Sequence, residues 1–520
     1  MSAKPDTAVQ GGNGVPPLNA AGRKRRDAAS ILGQASQNTS SPEGAKQGGE
    51  LPHGWSEQRI EQLFAPLEDG RTLHQGWSPQ CDKIPSPSED VWGVLKTTSI
   101  QAGEFRPEHN KLLPPGLEPR PMIEVKEGDI LLTCAGPRVR CGVSCLVRQT
   151  RKRLMMSGKM YRFRVNPEEH DARYIEAFLQ TERARRAIDK MKTGSSDSGL
   201  NLTHERFRQL PVPVPATVDE QRRIVAEIEK QFTRLEAGVA ALRRVQANLK
   251  RYRAAVLKAA CEGRLVPTEA ELARSKRSNK NGQPAYETGE ALLARILTER
   301  RQNWLARQSL GQGGKGGVQY KEPAEPDSKV HQELPEGWAT CSVGQVSECL
   351  DGKRVPINKN ERAKRHGDVP YYGANGQVGW IDDHLFDEPL VLVVEDETFT
   401  GRTQAFSYVI RGKTWVNNHA HVLRATAAVS TAYLNYSLAH YPFTARTTGS
   451  TGRRKLTQKA LMAAPYLLPP LAEQTRIVAE VERRLSVVEE LESVVWANFR
   501  RATRLRQSIL RKAFTGELLR

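Results

Sequence analysis

Two stretches of this chain, far apart, are built to one pattern and one length. Glu220-Gln221-Arg222-Arg223-Ile224-Val225-Ala226-Glu227-Ile228-Glu229 recurs as Glu473-Gln474-Thr475-Arg476-Ile477-Val478-Ala479-Glu480-Val481-Glu482, at an offset of 253 (473 − 220). The far end of the same block, Leu257 to Leu265, recurs as Leu510 to Leu518 at the same offset (510 − 257). Loops absorb insertions, so a block that keeps its length marks a rigid element. A second anchor, Leu51-Pro52-His53-Gly54-Trp55, recurs as Leu334-Pro335-Glu336-Gly337-Trp338 at an offset of 283 (334 − 51). The stretches between anchor and block therefore differ in length, and they differ in most of their sequence. The chain reads as variable module, fixed helix, variable module, fixed helix, a duplication rather than a solenoid.

The fixed block predicts a helix over 218–260. Its apolar residues Ile224, Ile228, Phe232, Leu235, Val239, Leu242, Val245, Leu249, Tyr252 and Val256 fall three or four apart, as in a coiled-coil seam. The second copy places Ile477, Val481, Leu485, Val488, Val495, Leu505 and Ile509 at matching positions. Roughly 40 residues at 1.5 Å each make a rod of about 60 Å. Charge selects the pairing. Residues 220–240 balance four acids against four bases, while 241–265 carry seven bases and one acid. In 473–493 six acids face three bases, and in 494–518 six bases face one acid. Parallel pairing would set two basic halves side by side, so the helices are expected to run antiparallel.

A chain of 520 residues exceeds one small core and predicts at least two domains. Its formal net charge of +19 favours polyanionic partners through attraction and counterion release. The seven cysteines form no CxxC pair. Cys134, Cys141 and Cys145 read as small buried residues in a reducing compartment. Leu390 to Val394 is the longest strongly apolar run, too short to span a bilayer. Residues 1–30 lack an apolar signal core, so a cytoplasmic protein without a membrane partner is expected.

Residues 1–50, rich in Gly, Ser, Asn, Gln and Ala, predict a disordered tail containing the basic run Arg23 to Arg26. The first variable module spans 51–217. Strand-like runs are Trp92 to Leu95, Asp129 to Cys134, Gly142 to Val147 and Met160 to Val165, and one helix is expected over Ala172 to Met191. The polar loop Gly194 to Gly199 follows, then Pro211, Pro213 and Pro215 in an extended segment. After the first fixed helix (218–265) comes a connection over 266–333. It has a short helix over Gly289 to Arg307 and a linker-like run Gly311 to Gly317. The second module, 334–471, has strand-like runs Leu390 to Val394, Ala405 to Ile410 and Val416 to Leu423, and a helix over Thr431 to His440. The loop Thr447 to Lys455 stands where the Gly194 loop stands in the first module. Leu202-Thr203 and Leu456-Thr457 follow these loops. The second fixed helix closes the chain over 472–520.

No Walker A, Asn/Asp-Pro-Pro-aromatic methyltransferase, HExxH or GxSxG motif occurs. Glu124-Val125-Lys126 is the nearest approach to a nuclease Glu-x-Lys, without an upstream strand aspartate. His419 and His421, two apart on an expected strand, would face one side, and packing or hydrogen bonding suits them better than metal binding. The polar and basic loops carry the better chemistry, because Arg and Lys hold phosphates while Arg, Asn, Ser and Thr read base edges. The candidates in the first module are Lys96, Thr97, Thr98, Arg138, Arg140, Lys159, Ser195 and Ser196. In the second they are Tyr372, Asn375, Arg402, Asn417, Asn418, His419, Ser450, Thr451, Arg453 and Arg454. Each alone has ordinary surface or turn duty as an equal reading; the set is the stronger claim.

The repeated Leu-Pro-x-Gly-Trp anchors, the Glu-Gln-x-Arg-Ile-Val-Ala-Glu helices and their terminal Gly-x-Leu resemble the specificity subunit of type I restriction–modification systems. The stretches Val369-Pro370-Tyr371-Tyr372-Gly373-Ala374-Asn375-Gly376 and Trp415-Val416-Asn417-Asn418-His419-Ala420-His421 are similar to its recognition domains. The resemblance covers residues 51–520, leaves the tail outside, and finds the 266–333 connection long. It implies an α+β architecture: two mixed α/β target-recognition domains separated by a long antiparallel two-helix coiled coil. Each domain would read one half of a bipartite site in double-stranded DNA. Two methyltransferase (modification) subunits would dock on the helices and bring S-adenosylmethionine. ATP- and Mg-dependent restriction subunits would join them, and this chain would catalyse nothing. The other readings are a protein-binding coiled-coil adaptor and a stand-alone nuclease.

Overall fold

In the computed structural model, the described residues are 51–275, 286–309, 319–328, 333–397, 399, 402, 404–449 and 454–519. The tail, its Arg23 to Arg26 run, the Gly311 to Gly317 run, Ser450, Thr451 and Arg453 lie outside them. The chain divides into two compact units. Among the described residues, one gathers 51–245 together with 494–519, and the other lies within Gln246–Ser493. Each boundary falls inside a long helix, Val218–Cys261 or Leu471–Ala513. Each unit therefore holds one variable module, the start of one long helix and the end of the other.

That composition fixes the pairing. In the first unit Ile224, Val225 and Ile228 from the start of the first long helix share a core with Ile509, Leu510, Ala513 and Phe514 from the end of the second. In the second unit Val256, Leu257 and Ala260 share a core with Ile477, Val481 and Leu485. The helices pair antiparallel, as their charge predicts. Arg253 in the basic half of the first helix lies 3.7 Å from Glu489 and 3.8 Å from Glu492 in the acidic half of the second. Half-exposed pairs of this kind contribute ~0–1 kcal/mol, whereas each fully buried seam side chain contributes about 1.5–3 kcal/mol. The seam supplies the stability and the charges choose the direction.

The expected seam needs correction at three places. Val245, Tyr252 and Leu505 are 42%, 45% and 48% exposed. In the second helix Val495 and Ile509 are buried as expected, and Phe499 and Ala502 join them in the seam. A straight helix drifts about 20° per heptad from a strict 3.5-residue repeat, so a stripe read at steps of three and four strays off the contact. Beside Leu505, Arg506 turns inward and lies 3.9 Å over the Phe232 ring.

Each module is closed by its own two ends. Ser56–Arg59, just after the first anchor, pairs antiparallel with the Pro-rich strand Pro211–Val214. Ala339–Ser342 pairs in the same way with Pro465–Leu468. Between them the first module builds a sheet on Ser144–Leu146, Ile130–Thr133 and Met160–Val165, with a smaller sheet of Leu154–Met155, Gly93–Leu95 and Asn110–Leu112. The second builds one sheet on Ser347–Cys349, Ala420–Ala425, Leu390–Val394 and Ser407–Ile410, and another on Gly376–Ile381, Val369–Gly373, Lys413–Val416 and Phe386–Asp387. The architecture is α+β with mixed modules, as expected.

Two expected elements differ, and a third is found where it was expected. The helix over Ala172 to Met191 is two, Ala172–Leu179 and Glu182–Met191, because Thr181 caps the second with its hydroxyl and stops the first. The strand over Val416 to Leu423 is also two, Lys413–Val416 and Ala420–Ala425, separated by a turn through Asn418 and His419. The helix expected in the connection spans Gly289–Ser309 and buries Leu292 and Ile296 in the second unit's core. This helix is therefore packed into the unit.

The repeated motifs meet at one joint in each unit. Trp55 donates its indole N–H to Glu220 at 3.0 Å, and Trp338 donates to Glu473 at 2.9 Å. The next residue of each repeat holds the module. Gln221 accepts from the Asp171 backbone N–H at the start of the 172–179 helix, and Gln474 accepts from the Ser430 N–H at the start of Thr431–Ala439. The Gly-x-Leu ends close the joint from the other helix. Gly263, at φ 68°, would drive a side chain into Pro335, and Gly516, at φ 73°, into Pro52, so both positions need glycine twice over.

Candidate nucleic-acid interface

The two modules place corresponding loops at corresponding positions. In the first, Leu200–Asn201 pairs with Ala135–Gly136, just beyond the central strand Ile130–Thr133. In the second, Arg454–Lys455 pairs with Asp396–Glu397, just beyond Leu390–Val394. Leu202 and Leu456 are buried behind these pairs. Tyr161 Oη donates to the Leu202 carbonyl at 2.6 Å, and the His421 ring lies 2.8 Å from the Leu456 carbonyl. Thr203 and Thr457 then cap the next short helices. The loops preceding Leu-Thr are thus presented at one end of each module.

In the first module the turn through 137–140 gathers the candidates. The Arg138 guanidinium donates to Asp197 at 3.0 Å and Asp189 at 2.7 Å, and these carboxylates raise its pKa. Asp197 sits in the exposed loop that carries Ser195 and Ser196, and the Ser196 hydroxyl lies 2.7 Å from that of Ser198. Arg140 is different. Its guanidinium donates inward to the Ile100 carbonyl at 2.7 Å and to the Thr97 carbonyl, and burial lowers its pKa. It ties down the 3-10 turn Thr97–Ser99, so it serves the fold rather than a free anion-binding surface. Thr97 is half-buried and Thr98 exposed, Lys96 precedes them, and Lys159 is exposed beside the Cys134 strand end.

In the second module the hairpin Val369–Gly373/Gly376–Ile381 brings Tyr372 and Asn375 to the turn 417–419. The Asn417 N–H donates to the Tyr372 carbonyl at 3.0 Å, and Asn375 accepts from Arg402 at 2.9 Å. Burial raises the Tyr372 phenol, whose ring lies 6.1 Å from that of Tyr408. Asn418 and His419 are exposed in the turn, and His419 Nδ1 lies 2.6 Å from Asp396. Arg454 is turned back, donating to the Thr447 hydroxyl at 2.7 Å and carbonyl at 3.0 Å. Tyr372, Asn375, Arg402, Asn417, Asn418, His419 and Arg454 therefore lie on contiguous segments of one end.

The expectation that His419 and His421 face one side fails, because the turn ends between them. His421 is buried, with Nδ1 2.5 Å from Asp351 and Nε2 on Leu456. Cys349 lies beside this pair, but the Arg354 guanidinium sits 3.2 Å from Asp351 and bonds Glu395 at 2.5 Å. A cation already occupies the position a metal ion would compete for, so the cluster is a buried ion network. Burial pushes the Asp351 carboxyl up; hydrogen bonds from His421 and the Val422 N–H, with Arg354, outweigh it and hold the group below the usual range. The Glu-Val-Lys stretch is structural too: Glu124 accepts from the Arg153 N–H, and Lys126 pairs with Glu68 at 3.0 Å. The Trp–Glu and Gln–helix joints were not expected, although the Trp, Glu and Gln of each stand in a repeated motif.

Such an arrangement defines a class: two unlike modules with polar loop-bearing ends, each locked within its own unit to the start of one repeated helix and the end of the other. Residues 335–488 match the type I restriction modification DNA specificity domain. The chain is 42% identical over 183 residues to the EcoEI type I restriction enzyme specificity subunit of Escherichia coli, an alignment covering 35% of this chain and 30% of that one. It is 22% identical to the StySPI specificity subunit of Salmonella potsdam over 90% of both chains, and 22% identical to the EcoKI specificity subunit of Escherichia coli (strain K12), also over 90% of both. The alignments to the first two curated relatives span only about a third of their lengths, 30% and 37%. A solved chain, from work on complex assembly and conformational transition of the type I R-M system, shares the fold with a TM-score of 0.59 at 16% identity, covering 90% of this chain and all of that one. The chain is thus similar to type I restriction enzyme specificity subunits over most of its length. No helix of the described residues is long and apolar enough to cross a membrane.

Proposed function

We propose that this chain is the DNA sequence-recognition subunit of a cytoplasmic type I restriction–modification complex. Each module reads one half of a bipartite duplex site, and the repeated helices dock two methyltransferase subunits, which restriction subunits join. The observation that carries the reading is the duplicated joint. Two copies of one Trp–Glu and Gln–helix lock hold modules that differ in length and in most of their sequence. An invariant mount with an interchangeable reading end is what two identical partners and two different half-sites require. Phosphate contacts from Arg and Lys would position the duplex, and Asn, Ser, Tyr and His at the loop ends would contact base edges. S-adenosylmethionine, ATP and Mg would belong to the partners, and this chain would catalyse nothing.

Co-expression with a type I methyltransferase (modification) subunit from the same host, followed by mapping of methylated adenines, tests the reading. The expected outcome is a two-part site methylated only when this chain is present, with binding that weakens steeply between low and moderate salt. Salt-independent association with protein alone would favour the adaptor reading. Metal-dependent cleavage by the isolated chain would favour the nuclease.

A further inference from the structure

The segment 319–328 follows the Gly289–Ser309 helix and lies on the second module. Tyr320, Pro323 and Pro326 are half-buried while the residues between them are exposed. That period of three matches a polyproline II ribbon, which two prolines in ten residues favour. The segment is fastened along its length. Tyr320 packs on Trp304 with ring centroids 5.5 Å apart, and Glu322 pairs with Arg301. The Ser342 hydroxyl donates to the Ala324 carbonyl at 2.6 Å, and the Asp327 N–H donates to the Ala463 carbonyl at 3.0 Å.

Its far end grips one side chain. Arg446 donates to both carboxylate oxygens of Asp327, at 2.8 and 2.7 Å, and to the Ser328 hydroxyl at 2.9 Å. Its guanidinium also lies 5.8 Å over the Tyr441 ring. A planar guanidinium held through Nη1 by a carboxylate, through Nη2 by a hydroxyl, and over a ring has one orientation. Arg446 ends the turn Phe443–Arg446, and Thr447 is the next residue. Arg454 holds Thr447 by hydroxyl and carbonyl, while Thr448 and Lys455 exchange backbone hydrogen bonds at 2.9 and 2.8 Å. Lys455 and Arg454 pair with the strand of Asp396, which reaches His419. An unbroken series of contacts runs from Asp327 to the loop end that carries the second module's candidates.

We propose that 319–328 is a positioning strap: Asp327, through Arg446, sets the geometry of the second module's reading end and thereby its base discrimination. The inference rests on the DNA-recognition reading for its consequence, though not for its geometry. Asp327 itself touches no DNA. Two readouts on the full chain separate the two claims. The first, without DNA, is hydrogen exchange at the Thr448 and Lys455 amides. Asp327→Asn is expected to speed both by roughly fivefold, the loss fitting a partly exposed ion pair, with an unchanged melting temperature. The double variant Asp327→Arg, Arg446→Asp is expected to restore slow exchange. The second is binding to duplexes carrying the mapped methylation site, with single-base changes in each half. Asp327→Asn is expected to lower discrimination roughly fivefold in one half only. Unchanged exchange at both amides overturns the strap. Equal loss in both halves overturns its claim to specificity. Wild-type binding without discrimination sinks the DNA-recognition reading while the exchange result still decides the strap.

Discussion

Glu220 and Glu473 open the repeated decapeptide, and each receives an indole N–H. The two joints are not equally dry: Trp338 and Glu473 are buried, whereas Trp55 is half-exposed. Removing a donor to a buried carboxylate costs about 1.5–3 kcal/mol, and less where water can replace it. Trp338→Phe should therefore destabilise the second unit more than Trp55→Phe destabilises the first, a ranking that urea unfolding followed separately for each unit will read. Asp351 gives a pH signature. Its carboxyl is held below the ordinary range, so its stabilisation is complete above the unfolded value near 3.9 and is lost as pH falls through the folded one. Asp351→Asn should cost about 1–3 kcal/mol at neutral pH, as expected for weakening charge-assisted hydrogen bonds while Glu395 still pairs with Arg354, and the gap to wild type should narrow below about pH 4. Melting curves from pH 7 to 3 check this; a gap that stays constant refutes it. None of these pairs was legible as a pair. The joints link residues 165 and 135 positions apart, so no fixed spacing announced them. Arg140 looked like an anion binder because its type is visible in sequence and its inward rotamer is not.

At the scale of elements, periodicity and charge carried most of the answer. The first long helix was expected over 218–260 and runs Val218–Cys261, and its direction against the second followed from counted charges. What periodicity could not supply was the identity of every contact, because the drift of a 3.6-residue helix moves a seam residue outward within a few turns. Thr181 and the Asn417–His419 turn escaped notice for another reason: a cap or a tight turn inside an apolar run changes chain direction without changing hydropathy. The seam makes its own prediction. Leu485 is buried among Val256, Leu257 and Ile477, so Leu485→Ala should cost about 2–5 kcal/mol. An exposed leucine such as Leu505, changed in the same way, should cost under about 0.5 kcal/mol. Comparable losses at both sites would contradict the seam as drawn. Removing seven residues from each helix at matched positions keeps the heptad phase. Under the proposed function it should change the spacing tolerated between half-sites, which methylation mapping of the variant will show.

For the whole molecule, two modules and two helices were evident from the offsets of the repeats alone. The partition of each helix between two units was not, since nothing local marks Val245 or Ser493 as a boundary. Its signal lay in the antiparallel charge pattern, which forces the end of one helix onto the module that starts the other. The end of the second helix matters most to the first module. Phe514 lies 4.8 Å from the Tyr174 ring and 5.4 Å from the Phe178 ring, and Leu518 packs on the same core. Truncation after Ala513 should therefore loosen the first module, which limited proteolysis would cut while the second unit resists. The geometry also sets an order of birth. A ribosome emitting this chain delivers Gln246–Ser493 as one uninterrupted stretch, able to fold as it emerges. The module that leaves the tunnel first must wait, half-clothed, for the last residues to be translated. A stalled or prematurely terminated message thus yields a protein with a sound second reader and a failing first one.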